Sequence, residues 1–227
     1  MTDTTIAGGP VERDPELPGL LLRTERDALV PLLRATASEG FAIRTRACPD
    51  WTVREVLAHC SAVLTRVVER RYEKDVFSPA ANQRDIAERA DWTDQQVVDE
   101  LERGMTEAGP KIARAGGILD GIALGEWVHA GDVREALGEP GAYAGAGLPL
   151  ALTLLARITR EKGQVSLHAD LDDRDEPLRF GEPDGQRPPA RYIGDAPTLV
   201  RLYSGRPTDG AGFELAGVEA GELNIYA

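Results

Sequence analysis

Histidine and cysteine are scarce in this chain of 227 residues, which contains three histidines and two cysteines. Cys48 and Cys60 do not have the spacing of a metal-binding cysteine pair, and a disulfide between them would be unusual in a cytosolic protein. Any histidine-based site is therefore restricted to His59, His129 and His168. His168 belongs to an alternating strand pattern and is interpreted as an ordinary strand-face residue.

Long apolar runs and an excess of positive charge are also lacking. No apolar run approaches the roughly 20 residues that a membrane-spanning helix needs. The first residues have neither the basic start nor the apolar core of a signal peptide, so we expect a cytoplasmic protein. The net charge of −12 argues against nucleic acid and anionic membranes as partners, because both would repel the chain. No glycine-rich phosphate loop and no Gly-x-Ser-x-Gly nucleophile motif occurs.

The first half of the chain has the pattern of a helical bundle. After a flexible arm at 1–15, four segments with helical apolar spacing fill residues 16–138 and are joined by connections of short to medium length. Two of these helices start with capping boxes, Thr52 with Glu55 and Thr93 with Gln96. In such a box each side chain satisfies the other residue's backbone donor. The pattern predicts a four-helix bundle.

The pattern changes after a linker at 139–147, which is rich in glycine and alanine. One more amphipathic helix follows, and then the strictly alternating segment Val165–Leu171 predicts a half-buried strand. A second short strand is expected at Pro177–Phe180, and Asp195 is expected to cap a short helix. Residues 148–227 therefore form a small α/β domain, and the fold class is α+β.

Two histidines and one glutamate could form a site between two bundle helices. Glu126 and His129 are three residues apart and share a helix face, while His59 borders the apolar stripe of another helix. Two histidines plus one glutamate is a common ligand set for zinc sites that keep an open position, and bundle sites often use a Glu-x-x-His spacing. The ordinary alternative is a buried Glu–His pair and a hydrogen-bonded core histidine, with no metal.

Three segments resemble the mycothiol-dependent maleylpyruvate isomerase family, within the DinB-like helical-bundle superfamily. The first is Cys-Pro-Asp-Trp-Thr-Val-Arg-Glu-Val-Leu-Ala-His at 48–59, and the second is Glu-Trp-Val-His-Ala-Gly-Asp-Val at 126–133. The third is the C-terminal stretch 195–207, which ends Leu-Tyr-Ser-Gly-Arg-Pro. The resemblance thus follows nearly the whole chain in order.

This resemblance implies a bundle that holds one divalent metal ion, zinc in most members, with a small C-terminal domain closing over it. His59 and His129 match the histidine ligands. The family's carboxylate stands four residues before the second histidine, where this chain has Gly125, so Glu126 is expected to serve as the third ligand from a position one residue later. The family's C-terminal catalytic arginine maps to Arg206.

The implied activity is that of an enzyme that uses mycothiol, a low-molecular-weight thiol, as cosubstrate. Its thiolate adds to an activated double bond of a small molecule, and cis–trans isomerisation follows. The alternatives are a mycothiol S-transferase that acts on other electrophiles, and a non-catalytic bundle that binds a metal or small ligand. The resemblance also implies an actinobacterial source, and we expect a monomer or a homodimer.

Overall fold

The protein is described by a computed structural model that covers residues 13–72, 75–172 and 174–226. In these residues the regular elements up to residue 161 are all helices, and four strands and two short helices follow. The helices are α1 Leu17–Ala35, α2 Ser38–Phe41, α3 Val53–Glu69, α4 Pro79–Ala87, α5 Asp94–Glu107, α6 Gly109–Arg114, α7 Asp120–Ala136, α8 Leu148–Glu161, α9 Ala196–Tyr203 and α10 Ala220–Leu223. The strands are β1 Leu167–Leu171, β2 Leu178–Phe180, β3 Ala190–Gly194 and β4 Phe213–Ala216.

Helices α1, α3, α5 and α7 form the predicted bundle. Helix α1 packs against α5 and α7, and α3 packs against the same two helices. The core includes Leu21, Leu64, Leu101 and Trp127, all of which are almost completely buried. Burying each of these side chains contributes about 2 kcal/mol, so the bundle is held mainly by its apolar faces. The long helices are therefore fixed relative to one another.

Local capping starts the second and third bundle helices where the sequence predicts it. The Thr52 side chain accepts a hydrogen bond from the backbone N–H of Glu55, and the Glu55 carboxylate accepts one from the backbone N–H of Thr52. The same reciprocal pair joins Thr93 and Gln96 at the start of α5. Both capping boxes are confirmed, and the first of them fixes the register of the helix that carries His59.

Two helices differ from the expectation. Helix α4 has weak apolar periodicity, but the Ser78 side chain caps it and Pro79 occupies its first turn. Proline is favoured there because its missing N–H has no helical partner. For the same reason Pro110 lies in the first turn of α6, a short helix that follows α5. Helix α4 matters for the site because it buries Asp85.

The C-terminal part contains a four-stranded mixed sheet in the order β2-β1-β3-β4. Strand β1 pairs antiparallel with β2 and parallel with β3, and β3 pairs antiparallel with β4. Helices α8 and α9 pack against each other, and they contact β2 and β3 respectively. Strand β3 was not predicted, because its five residues directly follow a long polar loop. The α+β fold class is nevertheless confirmed.

The two parts are joined through α8. This helix contacts the bundle helices α1 and α7 as well as strand β2, so the predicted division at 139–147 does not separate it from the bundle core. The division of the chain into domains stays a prediction. Most of the predicted arm lies outside the described residues, but Arg13 donates to the buried carboxylate of Asp120 at 2.9 Å. None of the described helices has the length and apolar character needed to cross a membrane.

Candidate metal centre and active site

One cavity of about 540 Å³ collects all four predicted site residues. His59 enters it from α3, Glu126 and His129 enter it from α7, and Arg206 enters it from the segment after α9. Tyr226, close to the C-terminal end of the chain, also lines it. The fold therefore brings residues that are far apart in sequence to one place, as the ligand spacing predicted for the two bundle helices.

The two histidines face each other across this cavity. Their ring centroids are 5.6 Å apart in an edge-to-face arrangement, and the ring of Trp51 lies 5.3 Å from that of His59. Trp51 precedes the capping threonine of α3, so the helix start also places an aromatic wall beside the histidine. His59 is buried, whereas the side chain of His129 keeps 19% of its surface exposed.

Each histidine has a carboxylate beside its Nδ1 atom, and each carboxylate is held by an arginine. Nδ1 of His129 lies 2.9 Å from Oδ2 of Asp132, and Arg206 donates to both oxygens of Asp132. Nδ1 of His59 lies 3.5 Å from Oδ2 of Asp85, which Arg66 binds through two nitrogens. A carboxylate at Nδ1 is the usual support of a metal-binding histidine.

The electrostatics of Asp132 and His129 fit this supporting role. Burial alone would raise the pKa of Asp132, but hydrogen bonds from His129 and Arg206 hold it well below its usual range. Asp132 is therefore ionised at neutral pH. Desolvation, only partly offset by Asp132, lowers the pKa of His129. A neutral imidazole that donates Nδ1–H to Asp132 leaves Nε2 free as an acceptor or ligand.

Glu126 is the most poorly satisfied polar group of the cavity. The residue is only 4% exposed, and its Oε2 atom has no hydrogen-bond partner among the described residues. Burial raises its pKa to about 8, against a smaller opposing effect of a hydrogen bond with Cys60. A buried carboxylate without a partner is costly, and a bound cation would satisfy it.

Arg206 and Tyr143 converge on Asp132. Nε and Nη2 of Arg206 donate to the two carboxylate oxygens at 3.1 and 2.7 Å, and the Tyr143 hydroxyl donates to Oδ1 at 2.6 Å. The tyrosine ring reaches Asp132 over Gly131, where a Cβ atom would lie 2.3 Å from the ring. Only glycine permits this approach. Asp132 thus joins α7, the segment after it and the C-terminal part.

A second group of potential ligands has to be weighed against the predicted one. Within the described residues, only Cys48, His129 and Asp132 have ligand atoms that all lie within 4.8 Å of one another. However, both oxygens of Asp132 already accept hydrogen bonds, and a cation there would compete with Arg206. Burial and the charge of Asp132 also raise the pKa of the Cys48 thiol, which disfavours the thiolate that binds metals.

The predicted set fits a divalent ion better by the chemistry of its donors. Oε2 of Glu126 is buried without a hydrogen-bond partner among the described residues. Nδ1 of each histidine lies beside a carboxylate, so Nε2 is the nitrogen that each histidine has left for a metal ion. Two neutral imidazoles and one carboxylate form a common three-ligand zinc set with an open position. The unpartnered atoms therefore favour His59, Glu126 and His129 as the residues that would hold a metal.

Sequence reasoning missed four residues that shape the site, namely Asp85, Asp132, Tyr143 and Tyr226. Asp132 could have been found, because it lies three residues after His129 on the same helix face. Tyr226 could not, since it depends on how the C-terminal segment returns over the bundle. Its hydroxyl lies 3.6 Å from the place that a Cβ atom of Gly125 would occupy. Gly125, which has no side chain, thus faces the hydroxyl of Tyr226.

Comparisons with known proteins identify a family model and two solved structures that are similar to this chain. Residues 22–134 match the family model of the mycothiol maleylpyruvate isomerase N-terminal domain. The crystal structures of the mycothiol-dependent maleylpyruvate isomerase and of a histidine-to-alanine variant each superpose with a TM-score of 0.54 at 19% identity. Each match covers 92% of this chain and 96% of the other. At this identity the likeness establishes the fold. A search of curated protein sequences finds no significant match.

Proposed function

Because residues 22–134 place this chain in the mycothiol maleylpyruvate isomerase N-terminal domain family, we propose that it is a metal-dependent enzyme that uses mycothiol. Its substrate is a small molecule with an activated double bond. The observation that carries this proposal is one cavity that combines two supported histidines, the unpartnered carboxylate of Glu126 and a buried arginine. We also expect the protein to be cytoplasmic and to work as a monomer or homodimer.

His59, Glu126 and His129 would hold a divalent ion, and zinc is the best fit to two imidazoles and one carboxylate. When bound, the ion lowers the pKa of a coordinated thiol, so that thiolate exists at neutral pH. Asp132 keeps Nδ1 of His129 occupied and directs Nε2 to the cavity. Asp85 lies in the corresponding position beside His59, although at a longer distance.

Arg206 would orient the substrate with the donors that remain to it. A guanidinium has five N–H groups. Two of them donate to Asp132, and a third donates to the backbone carbonyl of Ser204 at 2.8 Å. The bidentate edge of the guanidinium is thus occupied by Asp132. The remaining N–H groups can donate to one substrate oxygen, on a carbonyl or a carboxylate.

The chemistry that this site supports is reversible addition. A thiolate that adds to one carbon of a double bond conjugated to a carbonyl forms a carbon–sulfur bond, and the electron pair moves to the carbonyl oxygen. Rotation about the resulting single bond and expulsion of the thiolate give the trans isomer. Protonation of the carbon next to the carbonyl instead gives the thioether, which is the product of S-transfer. An N–H donor from Arg206 stabilises the negative oxygen in both cases.

The test is an assay of the metal-loaded protein with mycothiol and a set of cis enones that includes maleylpyruvate. Isomerisation is followed by ultraviolet absorbance, and formation of a thioether is followed by mass spectrometry. We expect turnover that needs both the thiol and the metal and that stops after dialysis against a chelator. Metal binding without turnover of any enone would contradict the proposal and would favour the non-catalytic binding module.

A further inference from the structure

The mouth of the cavity is strongly apolar. Phe77 is 59% exposed and Ile118 is 89% exposed, and both line the cavity together with the inner apolar residues Val63, Ile122 and Val128. Large exposed apolar side chains are costly in water, and a group of them around one opening marks a binding surface. The two residues also border surface depressions shared with Tyr72. The apolar surface thus continues outward from the candidate metal centre.

Positive charge in the cavity is limited. The charge of Arg206 is matched by Asp132 at 2.7 Å. Lys162 also lines the cavity, where its Nζ donates to the backbone carbonyl of Ile225 at 2.5 Å. No carboxylate of the described residues forms an ion pair with it. A divalent ion held by Glu126 together with one thiolate would be neutral as a set. Lys162 therefore supplies the one unmatched positive charge that the described lining residues offer.

We propose that the electrophile taken by this site is an unsaturated ketone with an apolar body and a single carboxylate. Its apolar body lies between Phe77 and Ile118, and its carboxylate lies at Lys162. A compact dicarboxylate would leave the apolar mouth in water and would bring a second negative charge without a partner. The claim that this ligand reacts rests on the proposed function. The claim that it binds does not.

Binding is tested first with two unreactive analogues, which need neither thiol nor turnover. β-Benzoylpropionate and levulinate share a carboxylate and a ketone and differ in that the first carries phenyl where the second carries methyl. Calorimetry on the full chain should show β-benzoylpropionate binding at least about tenfold more tightly, since the ring removes more apolar surface from water. Equal affinity for the two analogues would overturn the apolar part of the proposal.

Turnover is tested with the matching enones, cis-β-benzoylacrylate and cis-β-acetylacrylate, in the presence of mycothiol and after subtraction of the uncatalysed rate. The ratio of kcat/KM, benzoyl over acetyl, should exceed one and should fall about tenfold in Phe77→Ala and in Ile118→Ala. Leu20→Ala removes an exposed apolar side chain outside the cavity and should leave the ratio unchanged. An unchanged ratio of kcat/KM in both cavity variants would contradict the proposal.

The charged end is tested with the acid and its methyl ester. Lys162→Met keeps the length of the side chain and removes its charge. It should lower kcat/KM for β-benzoylacrylate about tenfold more than for the ester. An unchanged acid-to-ester ratio would overturn the role of Lys162. If β-benzoylpropionate binds as expected but no enone is converted, the proposed function fails while the ligand class stands. If the protein converts maleylpyruvate in preference to β-benzoylacrylate, the proposed function stands and the assigned ligand class is wrong.

Discussion

Nη2 of Arg206 lies 2.7 Å from Oδ2 of Asp132, and this contact fastens the C-terminal part of the chain to bundle helix α7. The same carboxylate oxygen lies 2.9 Å from Nδ1 of His129. The residue expected to orient substrate and a residue expected to bind the metal therefore share one supporting group. A substitution of Asp132 should therefore disturb both Arg206 and His129.

The two cavity histidines should determine the metal content. Purified protein should carry close to one divalent ion per chain, and His59→Ala and His129→Ala should each lose most of it, because three ligands are needed for a firm site. The matched control is His168→Ala, since His168 is exposed on β1. Elemental analysis measures the outcome. Unchanged metal in both cavity variants would refute the site.

Glu126 should contribute to metal affinity from its shifted position. We expect Glu126→Gln to weaken binding of zinc by about one to two orders of magnitude, the scale seen for supporting groups and a lower bound for a direct ligand. Competition with a chromophoric chelator measures the affinity. Glu135→Gln, on the same helix but outside this cavity, is the control. Full affinity in Glu126→Gln would leave a two-histidine site and favour a non-catalytic protein.

Breaking the contact between Arg206 and Asp132 should cost both activity and stability. Asp132 is fully buried, so Arg206→Gln leaves a buried charge without its partner and should lower the free energy of unfolding by about 3 kcal/mol. Urea denaturation measures this value. The control is Arg191→Gln, which breaks an exposed pair with Asp170 and should cost less than about 1 kcal/mol.

A second substitution, at Asp132, tests why Arg206→Gln loses stability. If the cost in Arg206→Gln comes from the unpaired carboxylate, addition of Asp132→Asn should recover part of the stability in a double-mutant cycle. Turnover should not return, since the donor to the substrate is still missing. Additive losses of stability would show that the two side chains do not interact.

Glu100 should make stability depend on acid pH. Burial opposes its ionisation, but hydrogen bonds from Arg89, Ser61 and Thr65 and the charge of Arg89 lower its pKa below the ordinary value of 4.5. A lowered folded-state pKa stabilises the protein above the unfolded-state value, and this contribution is lost as the pH falls through the folded-state value. Glu100→Gln should therefore cost about 3 kcal/mol near pH 7 and progressively less below about pH 4.

Chemical denaturation at several pH values measures this difference. Glu102→Gln is the control on the same helix, because the Glu102 side chain is 42% exposed and forms its ion pair, among the described residues, with the exposed Arg34. Its difference from the unmodified protein should be small at every pH. A constant difference for Glu100→Gln between neutral and acid pH would contradict the assigned cause.

The sequence predicts the bundle well because its information is local. The capping boxes at Thr52 and Thr93 begin their helices within one residue of the expected position. Apolar spacing then fixes which face of each helix is buried. Asp195 likewise caps its short helix by accepting a hydrogen bond from the backbone N–H of Thr198 at 2.6 Å. These signals act over three or four residues, so they can be recognised without knowledge of tertiary contacts.

The rest of the site depends on contacts between distant segments. Asp85 lies on a helix that is too weakly amphipathic to be recognised, and it comes to His59 only through packing. Tyr143 needs the space above Gly131, which no local pattern records. Strand β3 is defined by its partners β1 and β4. His59, Glu126 and His129 could be proposed because their spacing along two helices is local, whereas Arg206 was proposed only through the family resemblance. The residues that support them were not predicted.

The state of the two cysteines has a consequence for the durability of such an enzyme. Burial raises the pKa of Cys60 well above its ordinary value and also raises that of Cys48. Both cysteines lie close to the cavity that is proposed to bind a reactive electrophile. Thiolates, not thiols, are the species that become alkylated. Thiols that stay protonated in this way would resist alkylation by electrophiles of the proposed substrate class.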